Sequence, residues 1–409
     1  MSDASDMADR PSTARPRLLF LSPVLPAESG NGVAMRAAMV LRLLARHYDV
    51  WLLVVSLYRA PPRATLDAMA DVCQESAIFH PRRGGGVGQA LPFHGLRFDV
   101  VHVFRLITLP FASPYFIPPS GHRPRRHLDL DDIESATRGR IAALHRDNGE
   151  ERDARREEAQ AARAARLEND LLARFDRVYV CSDQDRQALE QRAPGRVFVL
   201  PNALPSPPIS MAAAPLDMDP FTLLFVGTLD YYPNFDAVRL LCREVLAELR
   251  TIATTPVILN VVGDGGWSRL RELTPPAEAR LIGAVADLDS WYRDAHAVIV
   301  PLRAGGGTRI KVLEAFRAAR AVIATSIGME GIDARPDQHF LLADSPAALA
   351  RQCLRLMTEP GLISRLGAQA FDLFSSAYST EAVTRTYGPN LAPPDPPESP
   401  PGGGSLSPR

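Results

Sequence analysis

Short runs of apolar residues alternate along the chain with longer stretches in which apolar positions recur every three or four residues. The short runs have the continuous hydrophobicity of strands buried on both faces of a parallel sheet, and the longer stretches have the spacing of helices that bury one side. This alternation is typical of βαβ units. The predicted strands lie in RLLFLSP, DVWLLVVSLY, SAIFHP, FDVVHVF, RHLDLDD, RVYVCS and RVFVLPN, and then in FTLLFVGTL, PVILNVVGDGG, ARLIGAV, AHAVIVPL, RAVIATS and HFLLAD.

Proline-rich segments divide the chain into parts. The stretch over 203–220 has neither helical nor strand periodicity, and we predict an interdomain linker at 205–219. Residues 391–409 hold too few apolar side chains to bury a core, and we expect this tail to be disordered, as we do residues 1–16. The 409 residues are long enough for two α/β domains, each with a doubly wound parallel sheet. The predicted domains cover 17–204 and 220–378.

The composition excludes several classes of protein. Hydrophobic residues make up 46% of the chain and the formal net charge is -1, so no excess of positive charge favours nucleic acid as a partner. The four cysteines are isolated and indicate neither a zinc site nor a disulfide framework. No apolar run reaches the roughly 20 residues of a membrane span, and the polar, acidic N-terminus is unlike a signal peptide. We therefore expect a cytoplasmic protein.

A glycine-rich loop follows the first predicted strand. Gly30 and Gly32 flank Asn31, which is predicted to cap a helix that begins near Val33. The free N–H groups and the dipole of that helix favour an anion at its N-terminus. Turns of this kind also occur in many folds without a ligand, so both interpretations stay open.

A second loop, in PLRAGGGTRIKVLEAF at 301–316, places three consecutive glycines between a predicted strand and a predicted helix. Without Cβ atoms near the helix N-terminus, an anion can reach the amide groups directly. The alternative is a glycine turn that serves only close packing. The residues of the predicted phosphate site are Gly305, Gly306, Gly307, Thr308, Arg309 and Lys311.

Lys311 is the only lysine in a chain whose 46 Lys and Arg residues are otherwise all arginine. Lysine carries a compact charge on a slender stem and fits beneath a bound diphosphate where the arginine fork would clash. Three residues further on, Glu314 is placed to accept both hydroxyls of a ribose, as the acidic residue of dinucleotide-binding folds does. A surface ion pair between Lys311 and Glu314 is the alternative. Phosphate and ribose together indicate a nucleotide.

Four segments of the second half are FVGTLDYYPNFDAVRLL, VVGDGG, LIGAVADLDSWYRDAHAVIVPLRAGGGTRIKVLEAF and AVIATSIGMEGI. Together they resemble the C-terminal domain of glycosyltransferase family 4, whose members are retaining enzymes with the GT-B fold. The first half is similar to the family's N-terminal domain in its glycine-rich loop and in FDVVHVF, LDLDDIES, FDRVYVCSDQDRQAL and VFVLPNALP. The resemblance covers about 17–388. It implies two Rossmann-like domains that face each other across a cleft, and a segment at 379–390 that returns to the first domain.

The resemblance also implies an activity. The second domain would hold a nucleotide sugar as co-substrate, the first would hold a glycan, lipid-linked or small-molecule acceptor, and the sugar would be transferred with retention of configuration. No metal and no further cofactor is implied.

The chain departs from the family pattern in the implied donor site. Many relatives carry two glutamates separated by seven residues, and here the second is Glu314 but the first position is Gly306. Gly227, at the end of a predicted strand, belongs to the implied donor site. Relatives have an arginine and then a lysine shortly after this strand. This chain has Thr228 and neither charge there. The chain is similar to the branch of the family that carries a Gly-Gly-Gly-Thr-Arg loop. This similarity implies that Arg309 and Lys311 bind the diphosphate instead.

Asp131 occupies the position at which many relatives have a histidine that approaches the donor sugar and the reacting centre. It is the candidate catalytic residue, as a base toward the acceptor or as a hydrogen-bond acceptor for a sugar hydroxyl. Asp129, Asp131 and Asp132 fit equally well as caps of the following helix, and both interpretations stay open. His102 lies within a predicted strand, and this position favours a structural role for it.

The segment LPFASPYFIPPSGHRPRR at 109–126 combines aromatic residues with a basic cluster. One interpretation is a peripheral contact with the inner face of the cell membrane. The favoured one is a proline-rich loop beside the acceptor cleft, because the segment lacks an amphipathic helical pattern.

The sequence as a whole predicts a metal-independent glycosyltransferase, in polysaccharide or glycolipid assembly. Two other functions fit the same architecture. One is a sugar-nucleotide epimerase, and the other is a non-catalytic sugar-nucleotide-binding or partner subunit, which the departures at Gly306 and Asp131 favour.

Overall fold

A computed structural model of the chain describes residues 15–57, 69–81, 91–117, 123–207 and 219–393. It contains two parallel sheets, one formed before and one after the predicted linker, as the βαβ pattern requires. Most of the segments predicted to be disordered or to form the linker lie outside the described residues, over 1–14, 208–218 and 394–409.

The first sheet has seven strands in the order β3-β2-β1-β4-β5-β6-β7, and each of the seven predicted runs forms one of them. The order reverses beside β1, so the loops after β1 and β4 diverge and leave a crevice at the carboxyl ends of the strands. The strands are β1 Arg17–Ser22, β2 Asp49–Val55, β3 Glu75–Phe79, β4 Val100–Phe104, β5 Arg125–Asp129, β6 Arg177–Val180 and β7 Val197–Val199.

The second sheet has six strands in the order β10-β9-β8-β11-β12-β13, again one for each predicted run. Its order reverses beside β8, which pairs in parallel with β9 on one side and β11 on the other. The strands are β8 Phe221–Val226, β9 Val257–Val262, β10 Ala279–Gly283, β11 Ala297–Val300, β12 Ala321–Ala324 and β13 Leu341–Leu342.

Helices connect the strands and cover the sheets. Several begin at a side-chain cap, as at Ser182, Ser345 and Ser379, whose hydroxyls accept from backbone N–H groups of the first turn. The helices are α1 Gly32–Leu44, α2 Leu109–Phe116, α3 Glu134–Asp147, α4 Glu151–Leu171, α5 Asp183–Leu189, α6 Tyr232–Leu240, α7 Leu246–Ile252, α8 Trp267–Leu273, α9 Asp289–Asp294, α10 Ile310–Arg317, α11 Pro346–Thr358, α12 Leu362–Leu373 and α13 Thr380–Tyr387.

The segment after α12 packs on the first domain. The backbone of Leu204 donates to Tyr378 at 3.1 Å and accepts from Thr380 at 2.9 Å. Val383 of α13 and Leu391 are fully buried in the apolar cluster that contains β1, β2 and α1. Leu391, which the sequence places at the start of a disordered tail, is thus part of this core.

The segment at 109–126 is not a loop throughout, and that prediction is wrong for its first half. Residues 109–116 form helix α2. Pro110 lies in the first turn, where its missing N–H removes no helical hydrogen bond, and Pro114 lies inside the helix. Ala112 and Tyr115, three residues apart, supply the buried side. The helix is too short for the apolar spacing to stand out in the sequence. Residues 118–122 lie outside the described residues.

Helix α4 is formed by the stretch in which glutamate and arginine alternate. It buries only Ala154, Ala164 and Glu168, and it packs along α3. Glu168 accepts from the backbone N–H of Ser135 at 3.0 Å and pairs with Arg192 at 3.0 Å.

Among the described residues, no helix is both long enough and apolar enough to cross a bilayer.

Candidate active site

A cleft of about 610 Å³ lies between the two domains, at the carboxyl ends of strands from both sheets. It is lined by the loops that follow β1, β4, β5, β8 and β11 and by one side of α3 and α4. Open α/β sheets bind ligands at this end, where loops and helix N-termini converge. Every site residue predicted from the sequence lies in this cleft or in the loops that form it. The residues that line it include Gly30, Gly32, Asp131, Gly227, Gly305, Gly306, Thr308, Arg309, Lys311 and Glu314.

The two domains touch each other beside the cleft through polar side chains. Arg140 of α3 donates to Glu330 of the second domain at 2.7 Å and to the carbonyl of Gly305 at 3.1 Å. Asn148 donates to the hydroxyl of Tyr232 at 2.8 Å and to Asp236 at 3.0 Å. These contacts therefore hold the two domains together beside the cleft.

The three glycines serve close packing between the domains as well as access to the backbone. A Cβ at Gly306 would lie 1.8 Å from Oγ1 of Thr137 and 3.0 Å from the side chain of Asp132, both in the first domain. Gly307 has a φ of +66°, and a Cβ there would lie 2.9 Å from the carbonyl oxygen of Asp131. Only glycine lets this loop reach the first domain without displacing Thr137.

Arg309 precedes α10 and is turned inward. Its side chain is 6% exposed, and Nη1 donates to the carbonyl oxygens of Gly306 and Gly307. Nε and Nη2 are buried without a hydrogen-bond partner among the described residues, and the nearest carboxylate oxygen, of Glu330, is 3.8 Å from Nη2. Burial lowers the pKa of this guanidinium. Buried donors without partners are costly, and a bound anion would satisfy them.

Lys311 is the second residue of α10 and lies on the wall of the cleft. Its Nζ donates to Oδ1 of Asn234 at 2.7 Å and stands 4.5 Å from the centre of the Phe225 ring. Burial, followed by the neighbouring charge of Arg309, lowers its pKa to about 7. A Cβ at Gly227 would lie 2.8 Å from Nζ, so this glycine makes the space that the ammonium group occupies.

Glu314 does not pair with Lys311, contrary to the alternative of a surface ion pair. Its Oε2 accepts from the hydroxyl of Tyr292 at 2.8 Å. Burial raises its pKa to about 6, against the opposing effect of the Tyr292 hydrogen bond. The carboxylate is thus held at the cleft wall, where the hydroxyl of Tyr292 fixes its orientation.

Asp131 follows β5 in a left-handed conformation, with a φ of +61°. Its Oδ2 pairs with Arg105 at 2.8 Å, and its backbone N–H donates to Asp129 at 2.9 Å. Burial raises the pKa of Asp131 to about 6, while Arg105 acts to lower it and Asp132 to raise it. The proximity of three carboxylates is made tolerable by two arginines, because Asp129 is itself paired with Arg36 at 2.9 Å and 3.0 Å.

None of the three aspartates caps the following helix. Helix α3 begins at Glu134, its N-cap residue is Ile133, and no side chain of that residue accepts from the first turn. The capping interpretation of Asp129, Asp131 and Asp132 is therefore wrong. Their carboxylates are engaged with arginines instead.

Arg105, Asn234 and Tyr292 belong to the site but were not predicted from the sequence. Arg105 lies directly after β4 with a φ of +64° and bridges Asp131 and Asp132, at 2.8 Å and 2.7 Å. An arginine directly after a buried strand was the one available signal for it, since that place in the chain leads to the carboxyl edge of the sheet.

The glycine-rich loop after β1 faces the loop of the second domain. Oδ1 of Asn31 accepts from the backbone N–H of Val33 at 2.8 Å, so the predicted cap is confirmed. Gly30 has a φ of +95°, and a Cβ at Gly32 would lie 3.4 Å from Cδ1 of Ile310. The N-terminus of α1 and the start of α10 therefore approach each other across the cleft.

Comparisons with known proteins bear on the fold of the two domains. Residues 220–359 match the family model described as Glycosyl transferases group 1. HepE from Anabaena, solved with UDP and glucose, is 13% identical, with a TM-score of 0.65 over 92% of this chain and 99% of that one. Sucrose-phosphate synthase from Thermosynechococcus elongatus is 15% identical, with a TM-score of 0.66 over 92% of this chain and 98% of that one. By sequence, no curated protein matches the chain.

This chain has the GT-B fold. The predicted fold class, with two Rossmann-like domains across a cleft, is confirmed.

His102 lies outside the GT-B cleft, within β4. It is fully buried, stacks on Phe20 with ring centres 4.9 Å apart, and has no hydrogen-bond partner for either ring nitrogen among the described residues. Burial lowers its pKa to about 3, so the ring is neutral. Its predicted structural role agrees with this position.

One group in the described part of the GT-B domains has the composition of a metal site. His145, Glu150 and Asp153 bring an imidazole nitrogen and two carboxylate oxygens within 4.8 Å of one another. Nδ1 of His145 lies 2.6 Å from Oε2 of Glu150, and the ring stacks on Tyr232 at 3.6 Å. These contacts account for the position of the imidazole as an interdomain packing element.

Proposed function

We propose that this protein is a retaining, family 4 glycosyltransferase that takes its sugar from a nucleoside diphosphate sugar. The observation that carries the proposal is the pair of buried nitrogens of Arg309 that have no hydrogen-bond partner among the described residues. Arg309 and Lys311 line the same cleft, and both belong to the domain that matches Glycosyl transferases group 1. Cations and amide N–H groups in a sheltered cleft suit a leaving group on which two phosphate charges develop.

The donor is assigned to the second domain. Nε and Nη2 of Arg309 and Nζ of Lys311 would hold the diphosphate, together with the amide groups at the start of α10. Glu314, oriented by Tyr292, would accept the ribose hydroxyls. The complex of HepE with UDP and glucose supports a donor of this class.

The acceptor is assigned to the first domain. Asp131 faces the same cleft, and a carboxylate whose pKa is raised to about 6 remains ionised at neutral pH while being a better base than an ordinary aspartate. It would accept the proton of the attacking hydroxyl, or a hydrogen bond from a hydroxyl of the donor sugar. Arg105 holds it in place in either role.

The direct test is a panel of sugar nucleotides incubated with the protein, with and without acceptors. Release of nucleoside diphosphate with one donor, increased by an acceptor and accompanied by a new glycoside, supports the proposal. Interconversion of the donor without an acceptor indicates an epimerase instead. Tight binding of a sugar nucleotide with no conversion under any condition indicates a non-catalytic binding subunit.

The Glu314→Gln variant is expected to lose about tenfold in affinity for the nucleoside diphosphate, because an amide accepts hydroxyl hydrogen bonds less strongly than a carboxylate. Calorimetric titration with the ribonucleotide and its 2′-deoxy analogue gives the decisive comparison. The native protein should prefer the ribonucleotide, and the variant should bind both about equally. Glu248→Gln, the same substitution at an exposed carboxylate on α7, is the control. An unchanged preference in Glu314→Gln would contradict the ribose assignment.

Removal of metal ions is expected to leave sugar transfer intact, since Arg309 and Lys311 supply the positive charge that a metal would otherwise provide. Activity should be the same before and after treatment with a chelator. The variant His145→Ala tests the one described group with ligand composition. Metal independence would be overturned if chelation abolished activity and added metal alone restored it. The same loss in His145→Ala would assign the metal to this group.

A further inference from the structure

A second cavity, of about 680 Å³, lies in the first domain between α2 and α4. We refer to it as the α2–α4 groove. Most of its lining is apolar and comes from α2, α4 and the residues next to them in the chain. Its charged lining residues are Arg126, Glu134, Arg138, Arg163 and Arg174.

Large apolar side chains are exposed along the α2–α4 groove. Ile117 is 80% exposed, Ile107 40% and Leu167 37%. Half of the large hydrophobic residues that are exposed in the described part of the chain therefore lie on this one groove. A concentration of exposed apolar surface in a concave site marks a binding surface rather than chance exposure.

The groove adjoins the interdomain cleft. Glu134 and Arg138 of α3 line both cavities. Arg138 donates to Glu134 at 2.8 Å and to Glu157 of α4 at 3.0 Å, so a single ridge of ion pairs separates the two. A molecule that reacts in the cleft can pass over this ridge and continue into the groove.

The character of α4 changes along its length in the same direction. Glu157 faces the cleft, Arg163 lies in the groove, and Leu167 and Leu171 follow on the same side of the helix. With a rise of about 1.5 Å per residue, Arg163 is about 9 Å beyond Glu157 and Leu171 about 21 Å beyond it. Along this path the lining passes from charged, through one cation, to apolar.

Arg163 has no carboxylate partner among the described residues, in contrast to Arg138 on the ridge. Two further arginines, Arg126 and Arg174, lie at the outer end of the groove. The guanidinium of Arg126 lies 4.8 Å from the centre of the Phe116 ring. An unpaired arginine between a polar cleft and an apolar groove suits a phosphate that joins a polar head to a hydrocarbon chain. The arginines at the outer end suit the anionic bilayer surface from which such a chain extends.

We propose that the α2–α4 groove binds the hydrocarbon chain of a phosphate-linked lipid acceptor, whose polar head lies in the cleft and whose phosphate lies beside Arg163. This inference rests on the proposed function only for the transfer of sugar to the head. Binding of the chain is a separate property, which can be measured without a donor.

The test is calorimetric titration of the full chain with hexyl, octyl and decyl phosphate, each below its critical micelle concentration. Affinity should rise about fourfold for each added methylene, which is the fold-change that burial of one CH₂ gives. Leu167→Glu should abolish this dependence on chain length, and Ile252→Glu, at an equally exposed residue of α7, should preserve it. Equal affinities for the three phosphates, or no binding, would overturn the proposal.

The phosphate is tested by a second pair of variants on the same helix. Arg163→Gln should weaken binding of decyl phosphate about tenfold and leave decyl glucoside unchanged, whereas Arg166→Gln, outside the groove, should affect neither. An equal effect of both variants would contradict the assignment of the phosphate to Arg163. Binding only to anionic vesicles, with none to the monomeric amphiphiles, would show a membrane contact and overturn the groove as a chain site.

These outcomes are distinct from a failure of the proposed function. If nucleoside diphosphate binds normally and alkyl phosphates do not, only the groove assignment is wrong. If alkyl phosphates bind as expected and no sugar nucleotide binds or reacts, only the proposed function is wrong.

Discussion

The Asp131→Asn variant is expected to lower the turnover number for sugar transfer by a factor of about 10² to 10⁴, the range that loss of a positioned general base produces. Asparagine has the size of aspartate and can still lie beside Arg105, but it cannot accept a proton. Affinity for the nucleoside diphosphate should stay within about twofold of native, since the diphosphate is assigned to the other side of the cleft. Steady-state kinetics and a separate binding titration check the two parts.

The pH profile adds an independent measurement. The pKa of Asp131 is raised to about 6, so the active carboxylate form is lost as the pH falls through 6, and the turnover number of the native protein should fall with it. Glu314 has a pKa raised to the same value, but its protonation should affect donor affinity rather than turnover at saturating donor. The acid limb of the turnover profile should disappear in Asp131→Asn.

Asp132→Asn is the matched control, because Asp132 pairs with the same guanidinium at 2.7 Å. If Asp131→Asn and Asp132→Asn reduce turnover equally, the effect comes from the charge balance of Arg105, and Asp131 has no specific role in catalysis. A native level of turnover in Asp131→Asn would remove it from the reaction altogether.

Binding of the nucleoside diphosphate is expected to weaken about tenfold per pH unit above pH 7. The pKa of Lys311 is lowered to about 7 in the free protein, and the bound diphosphate requires its charged form, so binding takes up one proton at higher pH. Measurements between pH 7.5 and 9.5 avoid the phosphate's own titration, whose pKa is about 6. Titration in buffers of different ionisation enthalpy should show the proton uptake directly.

Lys311→Ala should bind the diphosphate about 10- to 100-fold more weakly at pH 7, through loss of a charge-assisted contact worth roughly 1.5 to 3 kcal/mol. Its affinity should no longer depend on pH. Lys311→Arg should recover only part of the affinity, because the space beside Gly227 is fitted to the smaller ammonium group, but its affinity should also be independent of pH, since arginine stays charged. Native affinity in Lys311→Ala would show that the only lysine of the chain does not bind phosphate.

The sequence predicted the framework of the site because local patterns determine it. The apolar runs that became β5, β8 and β11 place Asp131, Gly227 and the glycine loop at one edge of each sheet by topology alone. Asn31 was predicted as a cap because capping depends on residues two positions away. Features of this kind need no knowledge of distant contacts.

Contacts between distant parts of the chain could not be predicted. Arg105 is 26 residues from Asp131, and Asn234 is 77 residues from Lys311, so nothing local indicates either pair. Pairing with Arg105 also explains why capping of α3 was wrong, since carboxylates engaged by a guanidinium are not free to turn toward the helix. Helix α2 was missed because eight residues with two prolines carry too little periodicity.

The contact between Gly306 and Thr137 restricts the order in which substitutions can accumulate in this protein. A side chain at 306, including the glutamate that many relatives carry there, would meet Oγ1 of Thr137 at 1.8 Å from its first carbon. Thr137 is buried in α3 and, being β-branched, has few other rotamers to adopt. A glutamate at 306 therefore requires a smaller residue at 137, so the side chains that these two positions can carry, in different domains, depend on each other.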